Sequence, residues 1–209
     1  MIRKICTLNI ICLIFIIGNK CFAQQISTDI AYVNGAFVTT VTTNANASWE
    51  HVGKTIDKFI TQYKTDSKAL FDWALIGVDL QGEKDGFMIF HVKSHQLKNN
   101  IVKGMMDMTL IMLGKTFTDV NYNVSLTKTK ETLNEVEIFY NMYDCEEVMQ
   151  SANATVKVVN LGDNKIMLSL IIEVKLKKVY DLLVTKKMYS KNMNRRYIRF
   201  VENLVKDFE

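Results

Sequence analysis

The 209-residue chain contains no proline. That removes proline-rich linkers and polyproline recognition segments from consideration. No Gly/Ser-rich stretch marks a boundary between domains, no internal repeat is visible, and no glycine-rich phosphate loop is present. Only three histidines occur, and no third ligand follows His91 and His95 at metal-site spacing. Of the four cysteines, Cys6, Cys12 and Cys21 fall within the first 23 residues, so a chain without that segment keeps Cys145 alone and cannot form an internal disulfide.

The first residues, MIRKICTLNIICLIFIIGNKCFAQQ, have the layout of an export signal. Arg3 and Lys4 form a basic start, Ile5 to Gly18 is an apolar core, and Cys21-Phe22-Ala23 places small residues where a signal peptidase reads. The expectation is a signal peptide over 1–23, cleaved after Ala23, and an exported, periplasmic or extracellular protein. The rivals fit less well. The apolar run is short of the ~20 residues that span a bilayer, and Lys20 disfavours lipidation of Cys21. Loss of Arg3, Lys4 and Lys20 reduces 26 basic residues to 23, against 22 acidic, leaving a net charge of +1. A global case for nucleic-acid binding fails on that balance.

The 186 residues that remain, 24–209, suit one domain. Asp29 to Thr43 is rich in Val, Thr and aromatics and reads as a strand. Asn46 or Ser48 can cap a helix over Trp49 to Tyr63, whose apolar residues recur at helical spacing. Phe71 to Leu80 and Gly86 to Lys93 read as a hairpin around Gln81–Asp85. Ile101 to Leu113 is a strand or short helix, with strand favoured from about Met105. Val120 to Thr127, Glu135 to Met142, Ala154 to Asn160 and Ile166 to Leu176 alternate as strands, with a turn at Leu161-Gly162-Asp163-Asn164. The chain closes on a helix from about Val179 to Asp207, with a break expected near Ser190–Asn192. One stripe of this helix is apolar and runs through Val179, Leu182, Leu183 and Lys186 to Phe208. The opposite side carries Lys187, Lys191, Arg195, Arg199 and Lys206.

Short connections make such a sheet antiparallel, and its apolar face needs a cover that the long last helix can supply. The fold class is therefore α+β: a curved antiparallel sheet of about six to seven strands wrapped around a long C-terminal helix, with a short helix after the first strand. The strand-to-capped-helix entry VTTVTTNANASWEHVGKTIDKF, the late hairpin ATVKVVNLGDNKIMLSLIIEVKL and the terminal MNRRYIRFVENLVKDF together resemble the START-like or Bet v 1-like superfamily, the helix-grip fold. The resemblance spans most of the chain and is topological. The proline often found in that family's entry link is missing here. The resemblance implies a cavity between sheet and final helix that holds an apolar small molecule, lipid-like or polyketide-like.

By alternation, Met88, Phe90, Tyr122, Ile138, Tyr140 and Leu170 point one way from the sheet, and Met193 and Tyr197 face them from the helix. Tyr122 and Tyr140 supply the few polar contacts such a pocket uses. The clustered Met105, Met106, Met108 and Met112 suit either an adaptable ligand surface or plain core filling. Two other functions stay open: an envelope interaction protein whose cavity is filled by its own side chains, and a cyclase- or hydratase-type enzyme using Asp72, Asp79 or Asp107 as a cavity carboxylate. Cys145, with Asp144, Glu146 and Glu147 beside it, is a poor nucleophile, because those acids disfavour the thiolate. His51 falls in the first turn of the first helix. No cofactor, metal or nucleic-acid partner is expected, and no oligomeric state is implied. The basic face of the last helix is a candidate for peripheral contact with an anionic membrane.

Overall fold

Val33-Asn34-Gly35-Ala36 turns the chain through a hairpin before any helix has formed. Asn34 and Gly35 both take positive φ, 52° and 76°, the conformation a two-residue hairpin turn requires. The expected single strand over Asp29–Thr43 is therefore two, β1 (Ser27–Val33) and β2 (Ala36–Asn46). A computed structural model of the protein describes residues 25–74, 76, 88–111, 114–145 and 147–209. The proposed signal peptide, the turn at Gln81–Asp85 and Asp79 lie outside the described residues.

Ser48 ends the strand and starts α1 (Trp49–Thr65), its hydroxyl accepting the His51 N–H at 3.2 Å. Of the two capping candidates, Ser48 is the one used. A single residue later a second helix follows, α2 (Ser67–Ala74), with the Asp66 carboxylate accepting the Ala69 N–H at 3.0 Å. This corrects the strand expected from Phe71: as far as Ala74 the segment is helical, and residues 77–80 lie outside the described residues. The Asp66 cap explains the difference, because it satisfies a free N–H at the start of a helix too short to show a clear period.

Six strands then meander: β3 (Met88–Lys98), β4 (Ile101–Leu110), β5 (Lys115–Glu131), β6 (Glu135–Tyr143), β7 (Met149–Gly162) and β8 (Lys165–Leu176). Most run further than their alternation suggested, and β4 begins at Ile101 rather than Met105. The turns at Asn99-Asn100 and Asp163-Asn164 repeat the two-positive-φ geometry of Asn34-Gly35. All pairings are antiparallel, in the order β1-β2-β8-β7-β6-β5-β4-β3. The sheet thus has eight strands, above the expected six to seven. The N-terminal hairpin supplies one of the additional strands.

The expected face of β8 is the core of the molecule: Ile166, Leu168, Leu170, Ile172, Val174 and Leu176 are all buried. The chain then turns through α3 (Lys178–Asp181) and restarts as α4 (Lys186–Phe208), capped by the Thr185 hydroxyl on the Met188 N–H at 3.3 Å. The break in the terminal helix therefore lies at Leu182–Thr185, and Ser190–Asn192 is continuous helix. With the helix restarted, Val179, Leu182, Leu183 and Lys186 leave the apolar stripe and are exposed. From Tyr189 onward the stripe holds, and α4 lies along β1, β2 and β8. Helix α1 is pinned at both ends: His51 Nε2 and Asp207 O are 3.1 Å apart, and the Tyr63 hydroxyl donates to Val124 O at 2.9 Å.

Candidate ligand cavity

Between the concave face of the sheet and the three helices α1, α2 and α4 lies a cavity of about 340 Å³, lined almost wholly by apolar atoms. Its origin can be read along β7. Ala152 and Ala154 face inward there, flanked on β6 by Met142 and Tyr140 and on β8 by Val174 and Ile172. Two methyl groups stand where larger side chains would close the gap to α4.

Seven of the eight residues singled out from the sequence line this cavity: Phe90, Tyr122, Ile138, Tyr140 and Leu170 from the sheet, Met193 and Tyr197 from the helix. Met88 opens β3, but its side chain lies outside the described residues. Sequence reasoning missed the contribution of α2, where Phe71 and Trp73 close one side. Trp73 packs on Phe59 of α1 at 4.6 Å and against Phe200 of α4 at 5.8 Å, joining the three helices over the cavity. These aromatics are evident in the chain, but the alternation over Phe71 to Leu80 places them on a strand. Tyr189 and Arg196 of α4 were missed as well. Arg196 sits three residues after Met193 and four before Phe200, so helical spacing alone places it on the inner face.

On the sheet, polar side chains reach the wall from β5, β6 and β7, at Tyr122, Tyr140 and Asn153. The Tyr122 hydroxyl and His95 Nε2 are 2.6 Å apart, and Phe71 packs edge-on against the imidazole at 4.4 Å. Gly104 makes this pair possible. It stands opposite Tyr122 on one side and His95 on the other, and a Cβ there would overlap the Tyr122 ring. The missing side chain lets the tyrosine lie flat across β4 and reach β3. Burial holds His95 below its ordinary pKa and raises Tyr122 well above the usual phenol value. Tyr140 is raised as well, by burial first and then by the neighbouring Tyr122 and Tyr63 hydroxyls. These are neutral phenols at physiological pH, able to exchange hydrogen bonds but not poised as bases. The Tyr140 hydroxyl makes no hydrogen bond among the described residues.

On the helix wall the Tyr189 and Tyr197 hydroxyls bond at 2.7 Å, and Tyr189 stacks on Phe37 at 4.3 Å, nearly parallel. Burial pushes the Tyr189 hydroxyl up to about 12. Arg196 is 3 % exposed with its guanidinium 3.9 Å from Met193 Sδ, whereas Arg195 beside it is exposed.

The remaining candidates lie elsewhere. His91 and His95 do not face one another, because the register shifts between Val92 and Ser94: the extra residue, Lys93, turns His91 outward opposite Asp107 and His95 inward opposite Gly104. No group of three or more potential metal ligands occurs among the described residues. Asp107 accepts from Lys93 at 2.7 Å and Asp72 from Lys68 at 2.5 Å, so neither is a cavity carboxylate. Cys145 is buried, 2 % exposed. The methionines divide. Met106, Met142 and Met193 line the cavity, Met108 is core, and the Met112 side chain lies outside the described residues. Lys187, Lys191, Arg195, Arg199 and Lys206 are all on the solvent side of α4.

No family model matches the chain, and no curated protein sequence matches it. Among solved structures it is similar to a conserved protein from Geobacillus kaustophilus, at 8% identity over 82% of this chain and 94% of that one, with a TM-score of 0.49. A START superfamily protein from Mycobacterium smegmatis gives 12% identity, 82% and 99% coverage and a TM-score of 0.45. The Zhui aromatase/cyclase from a Streptomyces species gives 9%, 82% and 93%, and 0.46. At such identities no residue role is carried across. A strand, two helices, a six-strand antiparallel meander that closes on that strand and a terminal helix held in its concave face give the chain the helix-grip arrangement that its sequence led one to expect.

Proposed function

We propose that the protein binds an apolar small molecule, lipid-like or polyketide-like, between the sheet and α4, and that it does so after export. The observation that carries this is the cavity itself, about 340 Å³ and apolar, within the size range of small-molecule sites. Apolar walls of that extent lack packing partners on one side, and an occupant that supplies those contacts is favoured. Phe90, Ile138, Leu170 and Met193 would provide the apolar contact, and the free hydroxyl of Tyr140 the orienting hydrogen bond, with Tyr122 held by His95 beside it. No carboxylate lines the cavity among the described residues.

The test is titration with an environment-sensitive apolar dye. Wild-type protein is expected to bind it saturably. Ala154→Phe, which fills the space between Tyr140 and Ile172, is expected to weaken it at least about tenfold. Equal binding by both proteins, or none by the wild type, would overturn the assignment.

A further inference from the structure

Where β8 gives way to α4, one corner of the molecule carries apolar side chains that serve neither core nor cavity. Val179, Leu182 and Leu183 are 68%, 79% and 44% exposed. Tyr32 and Val33 at the tip of the β1–β2 hairpin are 45% and 49% exposed. The Tyr32 hydroxyl donates to Asp181 Oδ2 at 2.5 Å, tying the hairpin to α3. Five of the ten exposed large apolar residues among the described residues therefore belong to two segments in contact. Single exposed apolar residues are ordinary on a protein surface, but a cluster marks an interaction site.

The charge around this corner has one dominant sign. Lys178, Lys186 and Lys187 are exposed and form no ion pair among the described residues. Asp181, the acid inside the patch, is engaged by Tyr32. The basic side is bounded where the Lys177 N–H bonds Val148 O, which brings in the β6–β7 connection with Asp144 and Glu147. Lys186 and Lys187 occupy the first turn of α4, where the helix dipole opposes positive charge, so they are not placed there for the helix. A second copy of the chain fits poorly, since a two-fold contact would set these lysines against each other. Apolar tips ringed by lysine suit an interface that is hydrocarbon inside and phosphate outside.

We propose that this corner docks the protein peripherally on bilayers containing anionic lipid. Val179, Leu182 and Leu183 enter the acyl boundary, and Lys178, Lys186 and Lys187 meet headgroup phosphates. This moves the expected membrane contact from the length of the α4 basic face to its first turn and the segment before it. No helix among the described residues is long and apolar enough to cross a membrane. Leu176 just before the patch and Tyr189 just after it both line the cavity. If the ligand assignment above holds, docking brings that end of the cavity to the bilayer.

The full chain is expressed and protein from the soluble fraction is mixed with phosphatidylcholine vesicles, with and without phosphatidylglycerol, and floated. Wild type is expected to float only with phosphatidylglycerol, and less so at high salt, because screening shortens the reach of the lysines. Leu182→Asp with Leu183→Asp, and separately Lys186→Glu with Lys187→Glu, are expected to lower the bound fraction at least about tenfold. Both pairs are exposed, so the fold is retained, and unchanged dye binding checks this. Flotation unaffected by either pair, or absent in the wild type, would overturn the proposal. So would self-association in light scattering that Leu182→Asp with Leu183→Asp abolishes, which would assign the patch to a second copy. Dye binding lost with flotation intact would instead strike only the cavity assignment.

Discussion

From Phe37 opposite Val174 to Asn46 opposite Lys165, β2 and β8 pair without a shift of register. On the other side of the sheet each successive pairing slips once: at Val92/Ser94 between β3 and β4, at Met106/Met108 between β4 and β5, and at Lys128/Lys130 between β5 and β6. Both halves present an apolar inner face, yet they do different work. An unbroken register keeps alternate side chains level, so Val41, Ile166 and Leu168 form a continuous bed that is closed to solvent. Each bulge adds a residue to one strand, bends it and increases its twist. Three in succession fall on β3–β6, whereas α4 lies along β1, β2 and β8, and the alanines of β7 leave space open between the two. The evenly paired β2 and β8 carry the helix, and the cavity opens from Leu170–Leu176 of β8 across β7 toward the shifted strands, with β7–β8 itself shifting only near its ends.

The largest effect should come from breaking the gripping half. Leu168→Ala removes a fully buried side chain that does not line the cavity. It is expected to cost about 2–5 kcal/mol in chemical denaturation. Met142→Ala, on the cavity wall, should cost less than half as much, because part of its surface already lacks packing partners. Equal losses would mean that the cavity half is as tightly packed as the other.

Gly104→Val tests how the cavity half holds its polar pair. The new side chain must displace the Tyr122 ring and break its bond to His95, at an expected cost of about 1–3 kcal/mol. Dye binding should change with it. A variant with wild-type stability and ligand profile would show that the ring has another place to lie.

A weaker signal is expected from pH. Burial depresses the His95 pKa in the folded protein, so the unfolded chain takes up the proton first as pH falls. Stability from the neutral imidazole is complete above the ordinary histidine value of ~6.5. It declines as the pH drops through that value toward the folded one. Wild type should therefore lose more thermal stability between pH 7 and pH 5 than His95→Gln. Parallel melting curves would contradict the burial of the ring. The smallest stability effect belongs to Tyr140→Phe. Its hydroxyl makes no hydrogen bond among the described residues, so stability should change by less than about 0.5 kcal/mol while ligand preference shifts. A large loss would make that hydroxyl structural.

The two halves also differ in how far they could be read from the chain. Every inward residue of β8 from Ile166 to Leu176 was evident, because one face is buried from end to end. Phe90, Tyr122, Ile138 and Tyr140 were placed on the cavity side by the same alternation. The β1–β2 hairpin was overlooked although Asn34-Gly35 announces it, since the strand-forming residues on either side made one continuous run. The helix α2 is hard to read because Phe71 and Trp73 alternate as on a strand and its eight residues are too few for a helical period to show. The opposed facing of His91 and His95 depends on the bulge at Lys93, which is settled by cross-strand packing and leaves no trace in the local sequence.

The central claim is that the space between the bulged half of the sheet and α4 exists for a ligand. Protein purified under native conditions, extracted and examined by mass spectrometry for small molecules, tests it most directly. A stoichiometric apolar molecule that is absent from Ala154→Phe is the expected result. Protein that emerges empty and also ignores apolar dyes would contradict it, and the cavity would then be a consequence of sheet curvature alone.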